Sequence, residues 1–229
     1  MTMLEDYKKL LIDIREETFE NIDSNIFAEI NFINPLKLHW KEHIKYLERY
    51  YSEGNKRNLI LGLNPGKDGC NKTGIAFTDP FNAINYLKMN VNYNARRERS
   101  SEKLFPLFIE AFENDINSFF NNYLLSNLLP FGAVKQGKQE LINVKYEELL
   151  RIPLFKKWTE FHLDGLIKIF NPSYIIAVGE GVHKSIRQIL RYKYPQIIVI
   201  QAAHPAIGTF FTNVEKERWI KILKTFSLD

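Results

Sequence analysis

One cysteine, Cys70, occurs in 229 residues. A single thiol excludes an internal disulfide and any cluster held by cysteines of one chain, and it points to a reducing compartment, the cytoplasm. No run of about eighteen apolar residues exists, so no membrane-spanning helix is expected. Internal repeats and low-complexity tracts are missing. So are the six-residue glycine fingerprint for dinucleotides and the lysine-ending loop that cradles nucleotide phosphates. Charge of one sign barely dominates: 31 Lys and Arg face 27 Asp and Glu, a formal +4. That balance suits a nucleic-acid partner without requiring one.

What is present is globular. Hydrophobic residues make up 45% and aromatics 14% of the chain, enough for a substantial core in one domain over 1–229. Residues 1–55 read as an N-terminal helical segment packed on that domain. The opening MTMLEDYKKLLIDIREE is charged and amphipathic rather than signal-like. Asn34-Pro35 can start a further helix, in which Trp40, Ile44, Leu47 and Tyr51 form a stripe of period 3.6. A short connector, Gly54–Arg57, then leads into the first strand.

Four candidate strands follow, at about Asn58–Leu63, Tyr123–Ser126, Tyr174–Val178 and Ile197–Ile200. Helical patterns separate them, at Glu102–Asn114, Tyr146–Phe170 and Val182–Tyr192. Continuous apolar strands alternating with helices predict a three-layer α/β/α sandwich around a central four-stranded parallel sheet. In such sheets the ligand crevice lies beyond the carboxyl ends of the strands. The chain's unusual residues fall there: Leu63-Asn64-Pro65-Gly66, Asn127 with Pro130, Gly179-Glu180-Gly181, and His204-Pro205.

The stretch Leu61–Phe77, LGLNPGKDGCNKTGIAF, is the most informative. A buried strand ends abruptly, and the following Pro65 and Gly66 build a rigid turn that leaves the Asn64 amide facing a crevice. An amide has no useful basicity, but it can hold a water by hydrogen bonding. That suits N-glycosidic hydrolysis, in which the base leaves early and positioned water collapses onto an oxocarbenium-like sugar. Asn127 can read the edge of a flat polar ring, Phe77 can stack on it, and a neutral His204 can donate to an oxygen gaining charge. The plainer alternatives are turn-capping asparagines, a core phenylalanine and an idle histidine.

Other motifs are weaker. His39-Trp40-Lys41-Glu42-His43 fits a zinc-peptidase pattern, though exposed or partly packed histidines explain it as well. The glycines flanking Glu180 are either a phosphate-binding turn or a tight strand-to-helix turn. Cys70 reads as a bystander. Basic clusters stand at Arg96, Arg97, Arg99 and Lys103, at Lys156 and Lys157, and at Arg187, Arg191 and Lys193. Each is a solvated face or a phosphate contact.

Together these pieces resemble the uracil-DNA glycosylase superfamily, and within it the single-strand-selective monofunctional family. That family's Gly-Met-Asn-Pro-Gly, Thr-Gly and stacking Phe match Gly62-Leu63-Asn64-Pro65-Gly66, Thr73-Gly74 and Phe77. Its Asn-x-x-Pro matches Asn127–Pro130, and its His-Pro matches His204-Pro205. The resemblance runs from about residue 33 to the end. It implies a monofunctional glycosylase, a monomer without cofactor or metal, acting in base excision repair. Its substrate would be single- or double-stranded DNA carrying uracil or another deaminated base, such as xanthine or hypoxanthine. Asn64 would hold the attacking water and His204 would stabilise charge on the base oxygen. Leu63, Pro65, Gly66, Phe77 and Asn127 would surround the extruded base.

Two departures stand out. Lys67-Asp68 replaces the family's Pro-Phe. After His204-Pro205 the family's Ser-Pro and basic wedge give way to Ala206-Ile207-Gly208-Thr209-Phe210-Phe211. Ile207, Gly208, Phe210 and Phe211 would then meet DNA, with an apolar wedge entering the base stack, while Arg97 and Lys103 would hold phosphates. Gly66 stands where some relatives carry a bulky side chain that excludes a 5-methyl group, so exclusion of thymine must come from another group. A base-recognising module of the same fold with little catalysis is the alternative reading.

Overall fold

Proline and short polar caps set where the helices begin. The computed structural model describes residues 2–20, 22, 29–54, 56–92, 96–205 and 212–228. Helix α1 (Met3–Arg15) starts from a Thr2–Glu5 capping box. Strand β1 (Ile30–Ile33) follows, and α2 (Pro35–Tyr50) starts where the Asn34 side chain caps the Lys37 amide and Pro35 takes the first position. Asn34 also donates to the Ile14 carbonyl at 2.7 Å, tying α2 to the end of α1.

Next come β2 (Asn58–Gly62), the short α3 (Cys70–Thr73) and α4 (Pro80–Asn85), then α5 (Arg99–Ala111), α6 (Ile116–Asn122) and β3 (Tyr123–Asn127). Beyond them lie β4 (Gly132–Gln136), β5 (Leu141–Asn143), α7 (Tyr146–Leu149), α8 (Pro153–Phe170) and β6 (Tyr174–Val178). Helix α9 (Glu180–Leu190), β7 (Ile198–Ala202) and α10 (Asn213–Thr225) complete the order.

The central sheet runs β3-β2-β6-β7, all parallel. Helices on both faces make the expected three-layer α/β/α architecture. Every residue of β2 and β3 is buried, the environment that favours Asn58-Leu-Ile-Leu without polar alternation. Buried Asn58 satisfies its amide by accepting from Ser173 and Tyr174 and donating to Phe226. The register aligns Gly62 with Asn127, Leu61 with Ala177 and Val178 with Ala202, so the four strand ends finish level.

Several elements differ from the sequence reading. The stretch 1–50 is not all helical, because β1 pairs antiparallel with β4, which pairs with β5, in a second, three-stranded sheet. These strands are short and partly exposed, so they carry little apolar signal. The fourth parallel strand runs to Ala202 and is an exposed edge strand, with Ile198 facing solvent. The helix expected over Tyr146–Phe170 breaks at Leu150–Ile152, since Pro153 restarts it. The buried face of α2 is Leu36, His43, Tyr46, Leu47 and Tyr50, with Trp40 and Ile44 only half-buried. Arg57, in the supposed connector, is fully buried and donates to the Phe120 carbonyl at 2.7 Å.

Candidate active site

Gly62 closes β2 at a point where two side chains need its missing Cβ. A Cβ there would lie 2.7 Å from Asn127 Oδ1 and 2.9 Å from Phe77 Cζ. The amide at the end of β3 and the ring from the loop between α3 and α4 therefore meet over a bare backbone. The sheet ladder continues past Gly62: Leu128 donates to the Gly62 carbonyl at 2.8 Å and Leu129 to the Leu63 carbonyl at 2.9 Å. Those bonds hold the Leu63–Gly66 turn beside Asn127.

The loop that returns Phe77 is built by Thr73 and Gly74. Thr73 is fully buried and its hydroxyl donates to the Thr78 carbonyl at 2.8 Å. Gly74 ends α3 at φ +77 and rests on His39 and His43. Phe77 itself sits at φ +55, an uncommon conformation for a bulky residue that here aims the ring at the crevice. The two histidines thus support this turn. His39 Nε2 lies 3.1 Å from the Asn71 carbonyl, His43 is enclosed, and Glu42 pairs with Lys45 at the surface. No group of three metal-ligating side chains occurs among the described residues.

His204 comes from the loop after β7. Gly179, at φ +97 after β6, donates to the Ala202 carbonyl at 2.8 Å, and its missing Cβ would be 3.3 Å from His204 Cβ. The Gly179–Gly181 turn therefore seats the histidine. Burial lowers the His204 pKa below its usual value, so the ring is neutral at pH 7. Pro205 is anchored by Lys103 Nζ, which donates to its carbonyl at 2.9 Å.

These pieces line one crevice of about 520 Å³. Leu63, Asn64, Pro65, Gly66, Phe77, Asn127 and His204 all border it. Lys67 and Asp68 lie at its mouth, where Lys67 pairs with Glu140 at 3.1 Å and its amide donates to Asn143 at 2.9 Å. Arg96, also paired with Glu140, and exposed Arg99 complete the rim. Ile207, Gly208, Phe210 and Phe211 lie outside the described residues.

Other expected contacts lie elsewhere or are used within the fold. Arg97 donates to buried Asp79 at 2.7 Å and lies over the Phe81 ring at 4.0 Å, so its charge is already matched. Arg187 and Arg191 border a separate groove along α9 and β7, and Lys193 pairs with Asp164. Lys156 and Lys157 are exposed on α8. Cys70 is buried, and burial raises its pKa, which makes it a poor nucleophile.

Sequence reasoning missed Glu98. Its carboxyl lies within the crevice wall against Gly66 and Gly69, and Oε2 is enclosed without a partner. Burial pushes its pKa up to about 7; nearby Asp79 and Asp68 add to the rise and the Ser100 hydroxyl opposes it. Asp79 also accepts from the Glu98 amide at 3.2 Å. No local pattern marks either acid, because both are brought in from beyond the strand-end loops.

Residues 48–223 match the family model of the uracil DNA glycosylase superfamily. The chain belongs to that superfamily. It is a DNA glycosylase, a hydrolase of N-glycosidic bonds that acts in DNA repair. A curated relative, the single-strand selective monofunctional uracil DNA glycosylase of Bos taurus, is 21% identical over 223 residues, covering 89% of this chain and 77% of the relative. The crystal structure of wild-type SMUG2 from Pedobacter heparinus superposes with a TM-score of 0.79 at 21% identity. That match covers 99% of this chain and 97% of the other, and it shows that the glycosylase shares the fold. No helix among the described residues is long and apolar enough to cross a membrane.

Proposed function

We propose that this glycosylase excises uracil from DNA by flipping it into the crevice and directing one water at the sugar. The observation that carries the reading is the convergence of Asn64, Phe77, Asn127 and His204, from loops after three different strands, on one crevice. Its volume suits a nucleobase with part of its sugar.

In this reading Phe77 stacks on the base and Asn127 hydrogen-bonds its edge. Asn64 accepts a hydrogen bond from water and holds it at C1′. As the bond from C1′ to the base breaks, its electron pair goes to the base, and neutral His204 donates to the oxygen that gains charge. The water oxygen bonds to C1′ and its proton ends on the departing base. Arg96 and Arg99 face the backbone phosphates, and an apolar side chain from among Ile207, Phe210 and Phe211 acts as the wedge that fills the stack when the base flips. The protein acts as a monomer, without a cofactor, in the cytoplasm.

The crevice volume also accommodates a bicyclic base, which favours deaminated purines as the second reading. Oligonucleotides carrying one uracil, xanthine or hypoxanthine, incubated with protein and then treated with alkali, test both. Strand scission at uracil is the expected result. Scission only at the purines shifts the assignment, and no scission at any of them refutes excision.

A further inference from the structure

We propose that Trp219 and Lys103 are positioning residues for His204, gripping the chain on both sides of the imidazole so that it meets the departing base. The inference rests on the proposed excision, in which His204 donates to the oxygen that gains charge. Strand β7 ends at Ala202, so no ladder holds the backbone that carries the histidine, and Pro205 brings no N–H of its own. Two side chains from helices supply the missing partners. The Trp219 indole donates to the Ala203 carbonyl at 3.0 Å, and the Lys103 ammonium donates to the Pro205 carbonyl at 2.9 Å.

Each contact fixes a different peptide group. The Ala203 carbonyl belongs to the peptide that enters His204. The hold on Pro205 reaches back through a ring that fixes φ, so the exit from His204 is constrained as well. Gly179 closes a third side, since its missing Cβ would lie 3.3 Å from His204 Cβ. The supports are themselves anchored: Trp219 is fully buried in α10, Lys103 stands on α5, and these two helices pack on each other. The lysine bond is charge-assisted, which makes it stronger than a neutral one. A neutral imidazole helps only when its N–H is aimed at the oxygen as charge develops, and a misplacement of about 1 Å costs on the order of a hundredfold. Lys103 therefore serves the reaction from within the fold rather than as a phosphate contact.

Trp219→Phe removes the N–H and keeps an aromatic ring; Lys103→Met removes the charge and keeps the stem. Single-turnover excision from a uracil-containing oligonucleotide is measured for each, alone and combined with His204→Ala. Each alone is expected to slow excision by about ten- to hundredfold. Added to His204→Ala, each is expected to slow it by less than about twofold, because the loss passes through a group already removed. Equal losses in both backgrounds overturn the proposal, as does a folded variant at the wild-type rate. Lys103→Met should leave the salt slope of DNA binding unchanged, whereas a slope smaller by about one assigns Lys103 to phosphate and overturns its role here. Should Trp219→Phe unfold in a thermal melt, Lys103→Met, at a partly exposed side chain, decides alone. The NMR signals of the His204 ring, identified by their loss in His204→Ala, read its placement without substrate. They are expected to move in both variants, and unmoved signals overturn the proposal. Absence of uracil excision by wild type refutes the proposed activity instead, and the ring signals still decide whether Trp219 and Lys103 hold His204.

Discussion

Gly62→Ala is the sharpest probe of the site, because one methyl group meets two functional side chains. The added carbon would sit 2.7 Å from Asn127 Oδ1 and 2.9 Å from Phe77 Cζ. Carbon atoms rest at about 3.5 Å or more, so the Phe77 ring must retreat by roughly 0.6 Å even if Asn127 moves as well. Gly62 cannot yield instead: it is buried, paired with Asn127, and bonded through its carbonyl to Leu128 at 2.8 Å. Overpacking of this kind costs about 1–3 kcal/mol of stability. A displacement approaching 1 Å at a reacting geometry costs on the order of a hundredfold in rate. Single-turnover excision from a uracil-containing oligonucleotide, with urea denaturation in parallel, reads both quantities. The expected outcome is a folded protein slowed by about a hundredfold. A folded variant excising within twofold of wild type would show that Phe77 and Asn127 do not jointly frame the base.

Asn64→Ala should slow excision by at least about a hundredfold while changing DNA affinity little, whereas Phe77→Ala should weaken both, since a base stack contributes about 1–3 kcal/mol. Equal losses in the two variants would contradict the roles assigned to them. Burial lowers the pKa of His43 to about 4, so between pH 6.5 and 4 the unfolded chain binds the proton that the folded one refuses. Its stabilising contribution is whole above pH 6.5 and is lost as pH falls toward 4; Glu98, raised to about 7, acts in the opposite sense. His43→Gln should therefore remove about 2 kcal/mol of the pH dependence between 7 and 5, seen as a shallower drop in the urea midpoint than wild type shows. An unchanged drop would mean that His43 titrates normally. Arg97→Ala strands the buried Asp79 carboxylate and should cost about 2 kcal/mol, the partial exposure of Arg97 tempering a larger buried-pair value. Arg96→Ala, by contrast, should leave the melt within about 0.5 kcal/mol and reduce the salt slope of DNA binding by about one; the reverse pattern would exchange the two arginines' roles.

The residues that line the crevice were legible because their chemistry fits poorly with simple packing. An asparagine delivered by a buried apolar strand into Pro65-Gly66, a second at the end of β3 and a histidine after β7 each break an apolar pattern at a strand terminus. Parallel strands finishing in register turn those three breaks into one site. The antiparallel sheet of β1, β4 and β5 was not legible, since its short and only partly buried strands lack both a continuous apolar run and a clean alternation. Arg57 misled for a related reason. Its charge suggests solvent, but carbonyl groups and the Tyr51 ring enclose the guanidinium.

Local order in the chain thus determined the parallel core, the turns that end its strands and the identities of Asn64, Phe77, Asn127 and His204. These are short-range effects: a strand's apolarity, a proline's fixed dihedral, a glycine's freedom. Only the tertiary structure decided that Arg97 serves Asp79, that Lys103 holds Pro205, and that Glu98 fills the hollow beside Gly66. A charged side chain reads the same in sequence whether it faces water or a buried partner. Tertiary packing supplies the difference, because it sets which groups are shut away from solvent together, as where the Glu98 carboxyl meets Gly66 and Gly69.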